Sequence, residues 1–246
     1  KKANEFLQPD NLIFAEIDEE SEHGKQILDA LKEATVDALG YFLKPSELFS
    51  NLAKKGNAKV VNEDDEEQIQ STFILEDLAA VLSNIEKSTM GSESQDDFDQ
   101  LFYDIDLNST KIGRTTKDRN NVIVKILTSL DAIDFDLENT EGDVLGDAYE
   151  YLIAKFAAGA GQKAGEFYTP QQVSSILAKI VTTKKSILKS VYDPTCGSGS
   201  LLLRVAREVD EVGHFYGQEQ NRTTYNLARM NMILHDVNYH KFDIKH

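Results

Sequence analysis

Apolar residues recur at helical spacing in three stretches of the first half of the chain. They are Ile27-Leu28, Leu31, Ala34-Thr35, Ala38-Leu39 and Phe42; then Leu75, Leu78, Ala79, Leu82 and Ile85; then Val122, Ile123, Ile126, Leu127 and Leu130. Steps of three and four residues put these side chains on one face of a helix, so each stretch predicts an amphipathic helix packed on a core. Beyond Asp143 the pattern changes. Val191-Tyr192 reads as the end of a buried strand, Leu201 to Ala206 as the buried face of a helix, and Phe215 to Gly217 as a second strand. The run Asn226 to Leu234 reads as another helix. Strands alternating with helices indicate an α/β unit with a parallel sheet. The expected fold is therefore α/β, with an all-helical domain over residues 1–143 followed by the first part of a Rossmann-like sheet over residues 144–246.

The charge divides at the same place. Residues 1–143 carry 32 acidic against 14 basic side chains, whereas residues 144–246 carry 10 against 12. The first region is thus strongly acidic and the second near neutral. Affinity for duplex DNA comes largely from neutralised phosphates, so an acidic domain grips DNA poorly by itself. Its one basic stretch, Lys111, Arg114, Lys117 and Arg119, reads first as an exposed polar loop. The acidic runs Asn62 to Glu67 and Gly91 to Asp97 read as solvated loops or helix ends. No apolar run approaches the roughly 20 residues of a membrane span, and no secretory signal precedes the first acidic residues. A soluble, cytoplasmic protein without membrane partners is expected. The first residue is not Met, so the chain is expected to begin inside its gene or after a removed tag. A single cysteine excludes an internal disulfide, and the five histidines show no metal-ligand spacing, so no metal site is expected.

The candidate chemistry lies where the first strand of the second region meets its helix. Asp193-Pro194-Thr195-Cys196-Gly197-Ser198-Gly199-Ser200 is a strand-to-helix glycine turn, in which backbone N–H groups are expected to face a ligand. Glu219 follows Gly199 by twenty positions, at the end of the second strand, where a carboxylate can take both hydroxyls of a ribose. A dinucleotide fingerprint would need a third glycine where Leu202 stands, which argues against a nicotinamide oxidoreductase, and no Gly-Lys-Ser/Thr triplet marks a P-loop. Asp193 would repel a pyrophosphate but welcome a cationic amino-acid group. S-adenosylmethionine combines such a group with a ribose and an adenine, and it is the expected cofactor. Cys196 reads as a small residue packed in the turn rather than as a nucleophile.

A second element lies upstream. Gly165-Glu166-Phe167-Tyr168-Thr169-Pro170 precedes the run Gln171 to Val181, for which Thr169 is a good N-cap and Pro170 a good first helical residue. Val173, Ile176, Leu177 and Ile180 recur at helical spacing and are expected to pack on the sheet. The glycine-rich approach from Ala157 to Gly165 is expected to be mobile, with Phe167 and Tyr168 closing over a nucleoside.

Together with Asp147-Ala148-Tyr149-Glu150-Tyr151-Leu152, Gly217-Gln218-Glu219 and Asn226-Leu227-Ala228-Arg229-Met230-Asn231-Met232, these motifs resemble the modification subunit of type I restriction-modification systems. The resemblance covers roughly Gly142 to Asp236. It implies a site-specific DNA methyltransferase that moves a methyl group from S-adenosylmethionine to the exocyclic N6 amine of adenine. It also implies assembly with a specificity subunit that reads the DNA sequence and a restriction subunit that cleaves it. Carried over by motif, Glu166, Phe167, Tyr168, Thr169, Pro170 and Gln171 would line the methionine end of the cofactor. Asp193 with Thr195, Cys196, Gly197, Ser198, Gly199 and Ser200 would hold the amino-acid portion, and Glu219 the ribose.

The chain departs from that family in one respect. The family's Asn/Asp-Pro-Pro-aromatic motif, which holds the target amine and stacks on a flipped base, does not occur here. The four prolines are Pro9, Pro45, Pro170 and Pro194, and no two are adjacent. No catalytic residue is therefore assigned. The chain is expected to stop before the sheet's third strand, to hold only the strands near Val191 and Phe215, and to be inactive alone. The alternative reading is a non-catalytic module that binds the cofactor or a partner subunit.

Overall fold

The computed structural model describes residues 13–56, 60–61, 67–68, 74–134, 144–159 and 169–246. The chain divides into two compact units, Lys1–Phe135 and Asp136–His246.

The first unit is built mainly from helices: α1 (Glu22–Leu39), α2 (Phe49–Gly56), α3 (Leu75–Ser88), the short α4 (Gln95–Phe98) and α5 (Thr116–Asp131). Ser21 starts α1 by accepting the Gly24 N–H at 2.9 Å, and Gly40 ends it at φ 88°, a left-handed cap suited to glycine. Phe14, Leu28, Leu31, Val36 and Phe42 form one buried cluster, with the Phe14 and Phe42 rings edge-on at 6.3 Å. Ile74, Leu75 and Ile123 form another. Helix α3 has no cap of its own, because its N-cap residue is Ile74. Buried Asn120 on α5 replaces it, accepting the N–H groups of Ile74 at 2.9 Å and Leu75 at 3.2 Å. The third apolar stripe is only half used: Ile123 is buried, whereas Val122, Ile126 and Leu130 are exposed.

Two findings refine the sequence reading of this unit. Val60–Val61 and Glu67–Gln68 form a two-residue antiparallel ladder, β1 and β2, so the unit is not helical throughout, and Glu67 is paired in a strand. β-branched valines favour that conformation. The stretch from Gly91 is not wholly solvated either. Ser94 is fully buried and donates its hydroxyl to the Gly40 carbonyl at 2.6 Å, tying down the end of α1.

The second unit has α6 (Val144–Gly159), α7 (Gln171–Val181), β3 (Ile187–Leu188), β4 (Val191–Asp193), α8 (Ser200–Arg207), β5 (Glu211–Val212), β6 (Phe215–Gln218), α9 (Arg222–Leu234) and β7 (Phe242–Lys245). β4, β6 and β7 form a parallel sheet in that order, and β3 pairs with β5 in parallel. Phe215 and Gly217 point inward on β6, and Phe242 and Ile244 on β7, giving the period of two expected of strands. Leu202, Leu203, Val205, Ala228 and Met232 from α8 and α9 complete the core over them.

The third strand corrects the expectation that only two were present. Phe242–Lys245 pairs with Phe215–Gln218, so the far edge of β6 is covered. Phe242 and Ile244 had no alternating run long enough to mark a strand, and they gain their place from the core they enter. Helix α7 also differs from expectation. Val173, Ile176, Leu177 and Ile180 are 47%, 61%, 42% and 64% exposed, while Ser174 and Ala178 are buried. The helix packs on α8 through its small residues, which allow close approach, and its apolar stripe faces outward.

Candidate functional site

The glycine turn sits at the carboxyl ends of β4 and β6, the end of a parallel α/β sheet at which ligands bind. Asp193 ends β4 opposite Gly217 of β6. The turn is closed by its own backbone. Cys196 N–H donates to the Gln218 carbonyl at 2.9 Å and Gly199 N–H to the Cys196 carbonyl at 2.8 Å. Gly197 and Gly199 hold φ of 56° and 79°, the left-handed region that side chains disfavour. Gly217 is needed for a different reason: a Cβ there would meet Ile244 Cδ1 at 2.8 Å and Cys196 Sγ at 2.9 Å.

The two carboxylates expected at the site are tied into the same turn. Asp193 Oδ1 accepts the Thr195 N–H at 3.0 Å. Glu219 accepts the Gly197 N–H through Oε2 at 3.1 Å and the Asn221 N–H through Oε1 at 2.7 Å. The Glu219 N–H itself donates to the Lys245 carbonyl at 3.0 Å. The expectation that the turn's N–H groups face a ligand is therefore corrected for Thr195, Cys196, Gly197 and Gly199, whose N–H groups already have acceptors within the protein.

Each carboxylate keeps lone pairs beyond the bonds it accepts. The turn therefore offers acceptors and negative charge, not an anion cradle. Both charges act on the buried Cys196 thiol. Burial first, then Asp193 and Glu219, push it up to about 12, so it is a neutral thiol and not a nucleophile. Such a site suits ammonium and hydroxyl donors and repels phosphates.

Ser198 and Ser200 are buried behind the turn, their hydroxyls 3.0 Å apart. Thr195 is exposed on the outer side. Thr169, Pro170 and Gln171 lie at the start of α7. Pro170, not Thr169, is the N-cap residue; its carbonyl accepts the Val173 and Ser174 N–H groups at 2.9 and 3.0 Å, and among the described residues no side chain caps the helix. Glu166, Phe167 and Tyr168 lie outside the described residues, as does most of the approach from Ala157, whose first residues complete α6. Beside Asp193 and Pro194, a groove of about 460 Å³ opens between Leu177 and Val181 of α7, β4, and Leu201 and Val205 of α8. A larger cavity of about 580 Å³ lies in the first unit among Lys25, Lys32, Lys44, Glu19 and Glu47, and none of the motif residues line it.

Two contributions were not anticipated. Asp147 and Glu150 on α6 meet Arg207 and Arg204 on α8, at 2.5 and 3.7 Å, fastening α6 to the helix that leaves the turn. Acids and arginines each spaced by three residues carry that signal in the sequence. Tyr149 between them is pushed up to about 12 by burial. The other contribution is Asn231, fully buried on α9, whose Nδ2 donates to the Ser198 carbonyl at 2.9 Å.

Residues 140–246 match the N-6 DNA Methylase family. The chain is 42% identical over 226 residues to the methylase subunit of the type I restriction enzyme MpnII of Mycoplasma pneumoniae, covering 89% of this chain and 40% of that protein. It is 33% identical over 137 residues to the MjaVII methylase subunit of Methanocaldococcus jannaschii, covering 54% of this chain and 23% of that protein. The crystal structure of the type I restriction-modification methyltransferase subunit from Streptococcus thermophilus superposes with a TM-score of 0.71 at 36% identity. It covers 92% of this chain and 44% of that one. The chain thus spans about two fifths of the length of the M. pneumoniae and S. thermophilus subunits. Residues 140–246 are similar to the N-6 DNA methylase family, and the chain is similar to part of the methylase subunits of type I restriction enzymes.

Proposed function

We propose that this chain carries the S-adenosylmethionine-binding part of a type I modification subunit that methylates the N6 amine of adenine in DNA. The observation that carries the reading is the glycine turn bounded by Asp193 and Glu219, whose Thr195, Cys196, Gly197 and Gly199 N–H groups are engaged internally and whose carboxylates retain acceptor capacity. Asp193 would attract the cofactor's ammonium group and Glu219 would accept its ribose hydroxyls. Thr195, Cys196, Gly197, Ser198, Gly199 and Ser200 would form the floor beside them. Glu166, Phe167, Tyr168, Thr169, Pro170 and Gln171 would line the methionine end. When bound, S-adenosylmethionine supplies a methyl group activated by its sulfonium. What these residues do is hold that group in place.

The partners follow from the relatives, whose names make them subunits of restriction enzymes. The proposed partners are duplex DNA, a specificity subunit and a restriction subunit, in the cytoplasm. Among the described residues no helix is long and apolar enough to cross a membrane. The charge change at Asp143 is taken as the limit of the helical domain. With no Asn/Asp-Pro-Pro-aromatic stretch in the sequence, the 246 residues bind cofactor but transfer nothing by themselves.

Two measurements test this reading. Calorimetric titration with S-adenosylmethionine is expected to show one site per chain, and NAD none. Labelled methyl should enter adenine of duplex DNA with the longer relatives, such as the M. pneumoniae subunit with its partners, and not with these 246 residues. Binding of NAD in preference to S-adenosylmethionine would overturn the assignment.

A further inference from the structure

We infer that Asn231 is a positioning residue for the cofactor-binding turn, acting from the third turn of α9 through the Ser198 carbonyl. The inference rests on the reading of that turn as the S-adenosylmethionine site. Asn231 is fully buried, and its Nδ2 donates to Ser198 O at 2.9 Å across 33 residues of sequence. Its Oδ1 is buried and accepts no hydrogen bond among the described residues. An orphaned buried acceptor is a cost that an apolar side chain would avoid, so packing does not account for an asparagine here. The bond to the turn does.

That bond fixes the orientation of the Ser198–Gly199 peptide. Gly199 takes a left-handed φ of 79°, and its N–H donates to the Cys196 carbonyl at 2.8 Å. A peptide free to rotate would loosen this inner bond and the left-handed geometry together. Asn231 has neighbours in the same task. An added Cβ on Gly199 would lie 3.2 Å from Met232 Cε and 3.7 Å from Ala228 Cβ, so one face of α9 forms the back wall of the turn. The wall is close enough to set the turn's position, and Asn231 is the polar tie that sets its orientation. Asp193 and Glu219 are anchored to the same few peptides through Thr195 and Gly197. Their spacing toward a ligand therefore depends on Asn231, although Asn231 touches no ligand.

The test compares Asn231→Leu, which keeps the branched shape but replaces the amide by methyl groups, and Asn231→Ala, which adds no volume, with Val212→Ala as a core control on β5. Each is titrated with S-adenosylmethionine, and each is followed by amide hydrogen exchange at Gly197 and Gly199 without cofactor. Both Asn231 variants should bind at least tenfold more weakly and exchange these amides faster. Val212→Ala should lower the melting temperature while keeping wild-type affinity and turn protection. Wild-type affinity and protection in a folded Asn231 variant would overturn the inference. An equal loss of affinity in Val212→Ala would do the same, since it would mean that general destabilisation suffices. Should the wild-type chain bind no S-adenosylmethionine, the cofactor reading falls and the exchange measurement alone decides the role of Asn231.

Discussion

The Glu219 carboxylate accepts the Gly197 N–H at 3.1 Å across 22 residues, joining the end of β6 to the middle of the glycine turn. Its other oxygen accepts the N–H of Asn221 at 2.7 Å, and Asn221 in turn caps α9 by accepting the Thr224 N–H. One side chain thus fixes the turn, the strand end and the helix start, and still has lone pairs to offer a ribose.

Glu219→Ala should therefore weaken S-adenosylmethionine by about 1–3 kcal/mol for each charge-assisted bond lost. The Gly197 amide should also exchange faster in the absence of cofactor. Calorimetry and exchange on the same protein check both effects. Unchanged affinity would remove Glu219 from the site.

Gly199→Ala tests the turn itself. An alanine at φ 79° is strained by about 1–2 kcal/mol, and its Cβ would press on Met232. For a chain of this size that lowers the melting temperature by roughly 2–4 °C per kcal/mol. Combining it with Met232→Ala should not restore stability, because the strain lies in the backbone and the second change adds a cavity. Full recovery in the double variant would show that side-chain crowding, not φ, fixes the glycine.

Much of this site was legible in the sequence because it is local. The small residues of the turn, the acid at its start and the acid twenty positions on follow from how a parallel strand hands over to a helix. What the sequence hid was decided by contacts between distant residues. Asn231 and Asn120 look like ordinary polar positions within helices, yet each satisfies backbone groups far away in the chain. Ser94 hides in an acidic run for the same reason. The stripe on α7 misled in the other direction. Helical spacing shows that a face exists, not which side packs, and in this structure Ser174 and Ala178 pack instead. The short strand Phe242–Lys245 had too few residues to show its period.

Cys196 gives a pH-dependent test. Burial and two neighbouring carboxylates push its thiol up to about 12, from its ordinary value of 9.0. The folded state therefore holds this proton more tightly than the unfolded state does. By linkage, the stabilisation is fully present below about pH 9 and is lost as pH rises toward 12. The stability of the native chain should fall over that window more than that of Cys196→Ala, as read from urea denaturation at a series of pH values. At neutral pH the native thiol should resist alkylation by iodoacetamide and react once urea unfolds the chain. Rapid labelling of the folded protein would contradict the burial.

The two faces of α7 should respond oppositely to substitution. Ile176 and Ile180 are 61% and 64% exposed, so changing both to lysine removes little packing and should alter stability by no more than about 0.5 kcal/mol at each site. It should also raise solubility, since it breaks up an exposed apolar stripe. Ala178 has no exposed surface on a helix that packs on α8, so Ala178→Leu forces an isobutyl side chain in place of a methyl into a filled contact. Overpacking of that kind costs about 1–3 kcal/mol. Because α8 begins at Ser200, displacing it should reach the turn and weaken S-adenosylmethionine binding as well, which the lysine changes should leave alone. Urea denaturation and calorimetry of both variants decide the matter. Loss of stability in the lysine variant with none in Ala178→Leu would mean that the apolar stripe is the packed face after all.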